Sequence, residues 1–266
     1  MIHRPRKRFG QNFLHDPSVV AEILAVIHPQ RHEHLVEIGP GTGALTDPLL
    51  SRCDFLDAIE IDRDLAARLK IQYSGSAKLK VLCADALDVN FTDLRKSTEQ
   101  LRIIGNLPYN ISTPLLFHLL EQQSCIRDMH FMLQKEVVDR ICAEPGSKVF
   151  GRLSVMLQFH CDAEKLFEVS SCSFRPAPKV NSAVVRLMPR PSPKYSVTDI
   201  AALKTLVGQA FSRRRKTLRN ALNGYLSADE IASTGVSPSV RAETVGVADF
   251  TRLSDLYSEK NSARAG

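Results

Sequence analysis

Leu35-Val36-Glu37-Ile38-Gly39-Pro40-Gly41-Thr42-Gly43 runs from a short apolar strand into three glycines spaced GxGxG, and its reading decides the fold. Glycines at a strand end let the backbone turn tightly and approach a ligand, and the free N–H groups of the helix that follows attract electron-rich atoms. Outward from it, apolar runs alternate with amphipathic stretches: Leu35 to Gly39, Phe55 to Asp62, Leu79 to Asp85, Arg102 to Asn106 and Met129 to Leu133. That alternation predicts a mostly parallel sheet flanked by helices, of Rossmann-like α/β class. Lys165 to Val169 and Ser182 to Leu187 read as two further strands that extend the sheet in antiparallel fashion, and Gly151 to Phe159 reads as a helix. Upstream, Asp16-Pro17-Ser18 opens a helix carried by Val19, Val20, Ile23, Leu24 and Ile27.

In open parallel sheets ligands sit at the carboxyl ends of the strands. The second strand offers Glu60 there, twenty-one positions after Gly39, where a carboxylate can accept both hydroxyl protons of a ribose. The third offers Asp85, placed to accept from the amino group of an adenine. GxGxG is not the GxGxxG of a dinucleotide site, and with the two acids it fits S-adenosylmethionine better than NAD, because the former has no pyrophosphate to place on the helix terminus.

The fourth strand ends in Gly105-Asn106-Leu107-Pro108-Tyr109-Asn110. An exocyclic adenine amine is a poor nucleophile because its lone pair is delocalised into the ring. The Asn106 carboxamide oxygen and the Leu107 main-chain carbonyl can both accept from that amine and localise its lone pair. Pro108 fixes the turn and brings no competing N–H, and the Tyr109 ring can stack a base extruded from its strand. Methyl transfer to such an amine needs orientation and in-line geometry, with no metal and no covalent enzyme intermediate.

The 266 residues suit one large domain with a smaller one, and a composition of 44% hydrophobic and 24% charged residues excludes wholesale disorder. Pro189-Arg190-Pro191-Ser192-Pro193 reads as a linker, dividing a catalytic domain over 1–190 from a helical RNA-binding domain over 191–266. In the latter, Asp199 to Phe211, Lys216 to Leu226, Ala228 to Thr234 and Ala248 to Tyr257 have helical spacing. The net charge of +6 favours a polyanionic partner, and the basic residues gather in two clusters, Arg4 to Arg8 and Arg213, Arg214, Arg215, Lys216 with Arg219. Six cysteines without a CxxC pair argue against zinc and disulfides and read as buried thiols of a reducing compartment. The eight histidines form no ligand pattern, so no metal is expected. No apolar run approaches the roughly 20 residues of a membrane span, and no signal-peptide core follows the basic start, so a cytoplasmic monomer without membrane contact is expected.

Seven segments in order carry a resemblance: KRFGQNFL (7–14), VEIGPGTGALT (36–46), IEIDRDLAARL (59–69), GNLPYNISTPLLFHLL (105–120), MHFMLQKEVVDR (129–140), FRPAPKVNSAVVRL (174–187) and AFSRRRKTLRNAL (210–222). On these the chain resembles the KsgA/RsmA family of ribosomal RNA adenine dimethyltransferases, relatives of the Erm-type and Dim-type enzymes. The resemblance implies that Asn12 and Leu14 close over S-adenosylmethionine, Gly39 and Gly41 line its methionine part, Glu60 holds the ribose, Asp85 the adenine, and Asn106 bridges cofactor and target base. Tyr109 and Phe174 would sandwich the flipped adenine. It further implies transfer of two methyl groups to each of two adjacent adenosines in the hairpin loop near the 3′ end of small-subunit (16S) ribosomal RNA, on an assembly intermediate of the small ribosomal subunit. Two other readings stay open: an Erm-type enzyme acting on large-subunit RNA, and an RNA-binding assembly factor in which methylation is secondary. A NAD-linked dehydrogenase leaves the Asn106 loop without a role.

Overall fold

The computed structural model describes residues 6, 10–95, 99–108, 111–190 and 194–265. By packing, the chain divides into two compact units. The first takes the chain up to Val138 and returns with Ala163–Pro189; the second takes Asp139–Asp162 and the chain from Arg190 onwards.

The first unit is built on a seven-stranded sheet among the described residues, ordered β4-β3-β2-β5-β6-β9-β7. Its strands are β2 (His34–Ile38), β3 (Phe55–Glu60), β4 (Leu79–Cys83), β5 (Leu101–Asn106), β6 (Ile126–Gln134), β7 (Cys161–Val169) and β9 (Ser182–Pro189). β2 pairs in parallel with β3 and β5, β3 with β4, and β5 with β6, while β9 runs antiparallel to β6. This is a Rossmann-like sheet with an antiparallel addition. β2, an interior strand, is buried at every position, as expected of a parallel strand covered on both faces. A separate two-stranded ribbon pairs β1 (Phe13–Leu14) with β8 (Phe174–Arg175).

Helices follow the strands. α1 (Pro17–Ile27) starts where the Asp16 carboxylate accepts from Ser18 N at 3.0 Å, with Pro17 in its first turn, and it ends at His28 in the left-handed region. Such a cap is worth about 1 kcal/mol. Ile23, Leu24 and Ile27 go into a core shared with Leu14, Leu35, Leu49, Leu56, Ile104 and Phe174. α2 (Thr46–Leu50) follows the glycine turn, and α3 (Arg63–Gln72) is capped by the Asp62 carboxylate. α4 (Ser112–Glu121) follows the Asn106 loop, and α5 (Lys135–Ile141) continues β6.

The second unit packs α6 (Arg152–His160) with α7 (Ile200–Ser212), and α7 with α10 (Val247–Ala265), with α8 (Leu218–Ala221) and α9 (Ala228–Ser233) beside them. The division therefore differs from a single break at 190/191. The helix over 152–160 packs on α7 and α10, and Arg190 bonds back to His160 O and Gln158 O. Pro191, Ser192 and Pro193 lie outside the described residues. Lys216 to Leu226 is not one helix: only Leu218–Ala221 is helical. Thr217 instead forms a bridge to Arg241, Leu218 N reaches Val240 O, and Gly224 turns with φ +90°. Cys53, Cys125 and Cys161 are buried, but Cys83 and Cys172 are exposed, the former because β4 is the sheet edge. No described helix is long and apolar enough to cross a membrane.

Candidate active site

The carboxyl ends of β2, β3, β4 and β5 open on one cavity. Its wall includes Gly39, Gly41, Glu60, Asp85, Asn106, Leu107 and Pro108, and its roof is the segment Gly10 to Leu14. Asn12 and Leu14 thus meet the strand-end residues in one place, as the sequence reading requires.

Gly41 has φ +59°, a conformation that costs a side-chain-bearing residue about 1–2 kcal/mol. Its N–H donates to Glu60 Oε2 at 3.0 Å, and Asp62 N donates to Glu60 Oε1 at 2.9 Å. Two main-chain donors therefore hold the buried Glu60 carboxylate in one orientation. Asp85 accepts from Leu87 N at 3.0 Å, which fixes the turn after β4.

Asn106 Nδ2 donates to the Asn12 carbonyl oxygen at 3.0 Å. Only the amide nitrogen can meet a carbonyl, so Oδ1 is left as the acceptor end of the side chain. Leu107 buries its side chain and donates its N–H to Met132 O at 3.1 Å, tying the loop to β6. Ile111 N bonds Pro108 O at 3.2 Å, which closes the turn. Tyr109 lies outside the described residues. Phe174 is only 3% exposed and packs in the core, not in the cavity wall. It pairs with Leu14, so its place here is to seat the roof strand.

The structure adds residues that spacing did not single out. Gln11 Nε2 donates to Asp62 Oδ2 at 3.2 Å, and Arg6 reaches Asp62 at 3.1 Å and Asp64 at 2.5 Å, which ties the roof to the start of α3. Phe13 lies over the glycine turn: a Cβ on Gly41 would sit 3.0 Å from its ring. Tyr73 Oη donates to Asp47 at 2.6 Å behind Gly43. Glu37 lines the cavity, almost fully buried, and accepts from Thr46 Oγ1 at 2.7 Å. Its signal in the sequence was an acid within an otherwise apolar strand.

Of the basic clusters, Arg4, Lys7 and Arg8 lie outside the described residues, and Arg6 is engaged by two carboxylates. Arg213, Arg214, Arg215, Lys216 and Arg219 are all exposed in the second unit, around the turn between α7 and α8. Arg214 also donates to Lys148 O at 2.6 Å and so braces that turn. Phe211 sits between Phe150 and Phe250, a core position.

This sheet order, with a ligand cavity at the parallel strand ends, defines a Rossmann-like methyltransferase. A dimethyladenosine transferase from Plasmodium falciparum superposes with a TM-score of 0.79 at 25% identity, over 94% of this chain and 98% of that one. The 23S rRNA methyltransferase ErmE gives 0.72 at 26% identity, over 93% and 100%. The family model described as ribosomal RNA adenine dimethylase matches residues 2–259, and the chain belongs to that family. Among its relatives, "Ribosomal RNA small subunit methyltransferase A" of Acinetobacter baylyi is 53% identical over 95% of this chain and 92% of its own length. The protein of the same name from Nitrosococcus oceani is 53% identical over 96% and 97%.

Proposed function

We propose that this protein transfers methyl groups from S-adenosylmethionine to N6 of two adjacent adenosines in the 3′-terminal hairpin loop of 16S small-subunit ribosomal RNA, giving N6,N6-dimethyladenosine during subunit biogenesis. The observation that carries the chemistry is the Asn106 carboxamide, held by Asn12 O so that its oxygen is the free acceptor beside the Leu107 main chain. The choice of the small subunit rests on the relatives named for it.

The residues present fit the cofactor. Glu37, Glu60 and Asp85 make the cavity acidic, and among the described residues Glu37 has no cationic partner. Such a cavity suits a cationic ligand and repels a pyrophosphate. When bound, S-adenosylmethionine supplies a methyl group on a sulfonium. Glu60 accepts from the ribose, Asp85 from the adenine amino group, Gly39 and Gly41 border the methionine part, and Asn12 and Leu14 exclude water from above. Asn106 Oδ1 and the Leu107 carbonyl accept from the target amine, Pro108 keeps the loop rigid, and Tyr109 stacks the extruded base. The assignment of Phe174 to the other side of that base requires it to leave the core position it holds here. Arg213, Arg215, Lys216 and Arg219 contact RNA phosphates, with Arg214 bracing them. An unpaired loop adenine is the cheaper one to extrude.

A second reading, large-subunit RNA as substrate, has the superposition on ErmE behind it and is less supported than the first, since the 53% identical relatives are named for the small subunit. The test is incubation with S-adenosylmethionine and separate unmethylated small and large subunits, followed by RNA digestion and mass spectrometry. Dimethyladenosine in the small-subunit terminal hairpin is the expected result. Modification of large-subunit RNA alone moves the protein to the Erm-type reading, and modification of neither leaves the RNA-binding assembly factor.

A further inference from the structure

Glu37 is a carboxylate in a place where the proposed reaction gives it no task. It stands on interior strand β2, 2% exposed, with its wall position in the cavity. Its register neighbours, Ala58 on β3 and Ile104 on β5, are apolar. The groups that face it are Thr46 Oγ1, donating from α2 at 2.7 Å, and the negative fields of Glu60 at the end of β3 and Asp47 on α2. Tyr73, at the end of α3, feels the field of Glu37 and is itself bonded to Asp47. Asp85 is a further acid of the same wall. No cation among the described residues pairs with Glu37, so the Thr46 hydroxyl alone supports its charge against burial and the fields of Glu60 and Asp47. A buried acid so placed either takes a proton or waits for a cationic ligand.

We propose that Glu37 is a specificity-determining residue that reads the charge of the bound cofactor: ionised when the cavity holds the cationic methyl donor, and left to titrate as in the free protein when it holds the demethylated product, which lacks the sulfonium charge. This rests on the S-adenosylmethionine reading above. The donor and S-adenosylhomocysteine share ammonium, carboxylate, ribose and adenine, and differ by one methyl group and the positive charge on sulfur. A carboxylate without a cation of its own is the group in this wall that gains from that difference. Burial, above all, pushes the Glu37 carboxyl up to about 7; the Thr46 hydrogen bond opposes this, and Glu60 and Asp47 add to it. Near neutral pH, binding of the donor then expels a proton that binding of the product leaves in place. The preference for donor over product rises with pH up to that region and flattens above it.

Isothermal titration of the full chain at pH 7, in buffers of different ionisation enthalpy, counts the protons released with each ligand. The Glu37 share of the excess for S-adenosylmethionine over S-adenosylhomocysteine is expected to approach roughly half a proton, since about half the empty sites are protonated at that pH. The sulfonium makes the ligands' own amino groups titrate differently, but each ligand contributes alike to the unaltered protein and to Glu37→Gln, so the difference between the two proteins isolates the Glu37 share. Glu37→Gln, confirmed as folded by thermal unfolding, is expected to abolish that share and to lower the donor-to-product affinity ratio several-fold, with no rise of that ratio between pH 6 and 8. Thr46→Val removes the opposing hydroxyl and is expected to shift the rise in preference to higher pH. An unchanged proton excess in Glu37→Gln, or an unmoved profile in Thr46→Val, overturns the proposal while leaving the cofactor reading intact. Failure of either ligand to bind the unaltered protein overturns both.

Discussion

Asn106 has one amide for two tasks, and its nitrogen is already committed to Asn12 O. In the proposed reaction the remaining oxygen polarises an amine only while that bond holds the side chain still, which would couple the roof to the Asn106 loop. Asn106→Ala removes the acceptor and the tie together. The expected loss in the initial rate of methyl incorporation is roughly 10²- to 10³-fold, the scale for one preorganised polar group. RNA affinity in a filter-binding assay should be nearly unchanged, because the proposed phosphate contacts lie with Arg213, Arg215, Lys216 and Arg219. An unchanged rate would remove Asn106 from the chemistry. At this scale the sequence was informative about placement where a residue stands at a strand end, as for Glu60, Asp85 and Asn106, which line one cavity. It was silent on Asp62, because a helix cap is also bonded by Gln11 and Arg6 only once the chain's start folds over the site. It misled on Cys83, whose apolar context LKVLC belongs to an edge strand.

Glycines do different work in the elements they join, and the structure separates a roof glycine from a sheet glycine. Gly41 faces Phe13, a side chain of the roof, whereas a Cβ on Gly105 would sit 2.7 Å from Ile38 O, a main-chain atom of the neighbouring strand. A ring can swing aside and a strand cannot. Gly41→Ala is therefore expected to cost about 1–2 kcal/mol of stability through its positive φ, and to weaken cofactor binding at least tenfold as Phe13 is displaced. Gly105→Ala forces β2 and β5 apart and is expected to cost roughly 3 kcal/mol or to leave no soluble protein. Urea unfolding of both variants, with cofactor titration of the first, checks the contrast; equal stabilities would refute it. The five parallel strands were legible to within one to three residues, because buried parallel strands are short apolar runs with a polar end, whereas β7 begins at Cys161, four residues before the Lys165 expected. The helix expected over Lys216 to Leu226 was not, because its spacing is helical but Thr217 and Leu218 take main-chain partners from Val240 and Arg241, far along the chain.

Over the whole molecule, polar groups buried away from the cavity set the acid limit of the fold. The helix over 152–160 shows why the unit boundary was out of reach: GRLSVMLQF has apolar residues on most sides, and nothing in it says which unit it covers. It carries His160 into the second unit, while His130 is buried in β6 of the first. Neither ring nitrogen of His130 has a hydrogen-bond partner among the described residues, and Asp128 stands 3.7 Å away, beyond bonding distance. Burial pulls both imidazoles down to about 4 from an ordinary 6.5; the Asp128 charge opposes this at His130, and Lys204 reinforces it at His160. Because the folded pKa lies below the unfolded one, the unfolded chain binds more protons between those values. Stability is therefore full above pH 6.5 and is lost as pH falls towards 4. For His130 the loss at pH 5 is roughly 2 kcal/mol. His130→Leu removes the titrating group and the two unmatched nitrogens, so the variant should match or exceed the unaltered protein at pH 7 and exceed it by about that amount at pH 5. Denaturant unfolding at the two pH values reads the difference directly. An identical decline in the two proteins would assign the acid sensitivity to other groups, with His160 the next to replace.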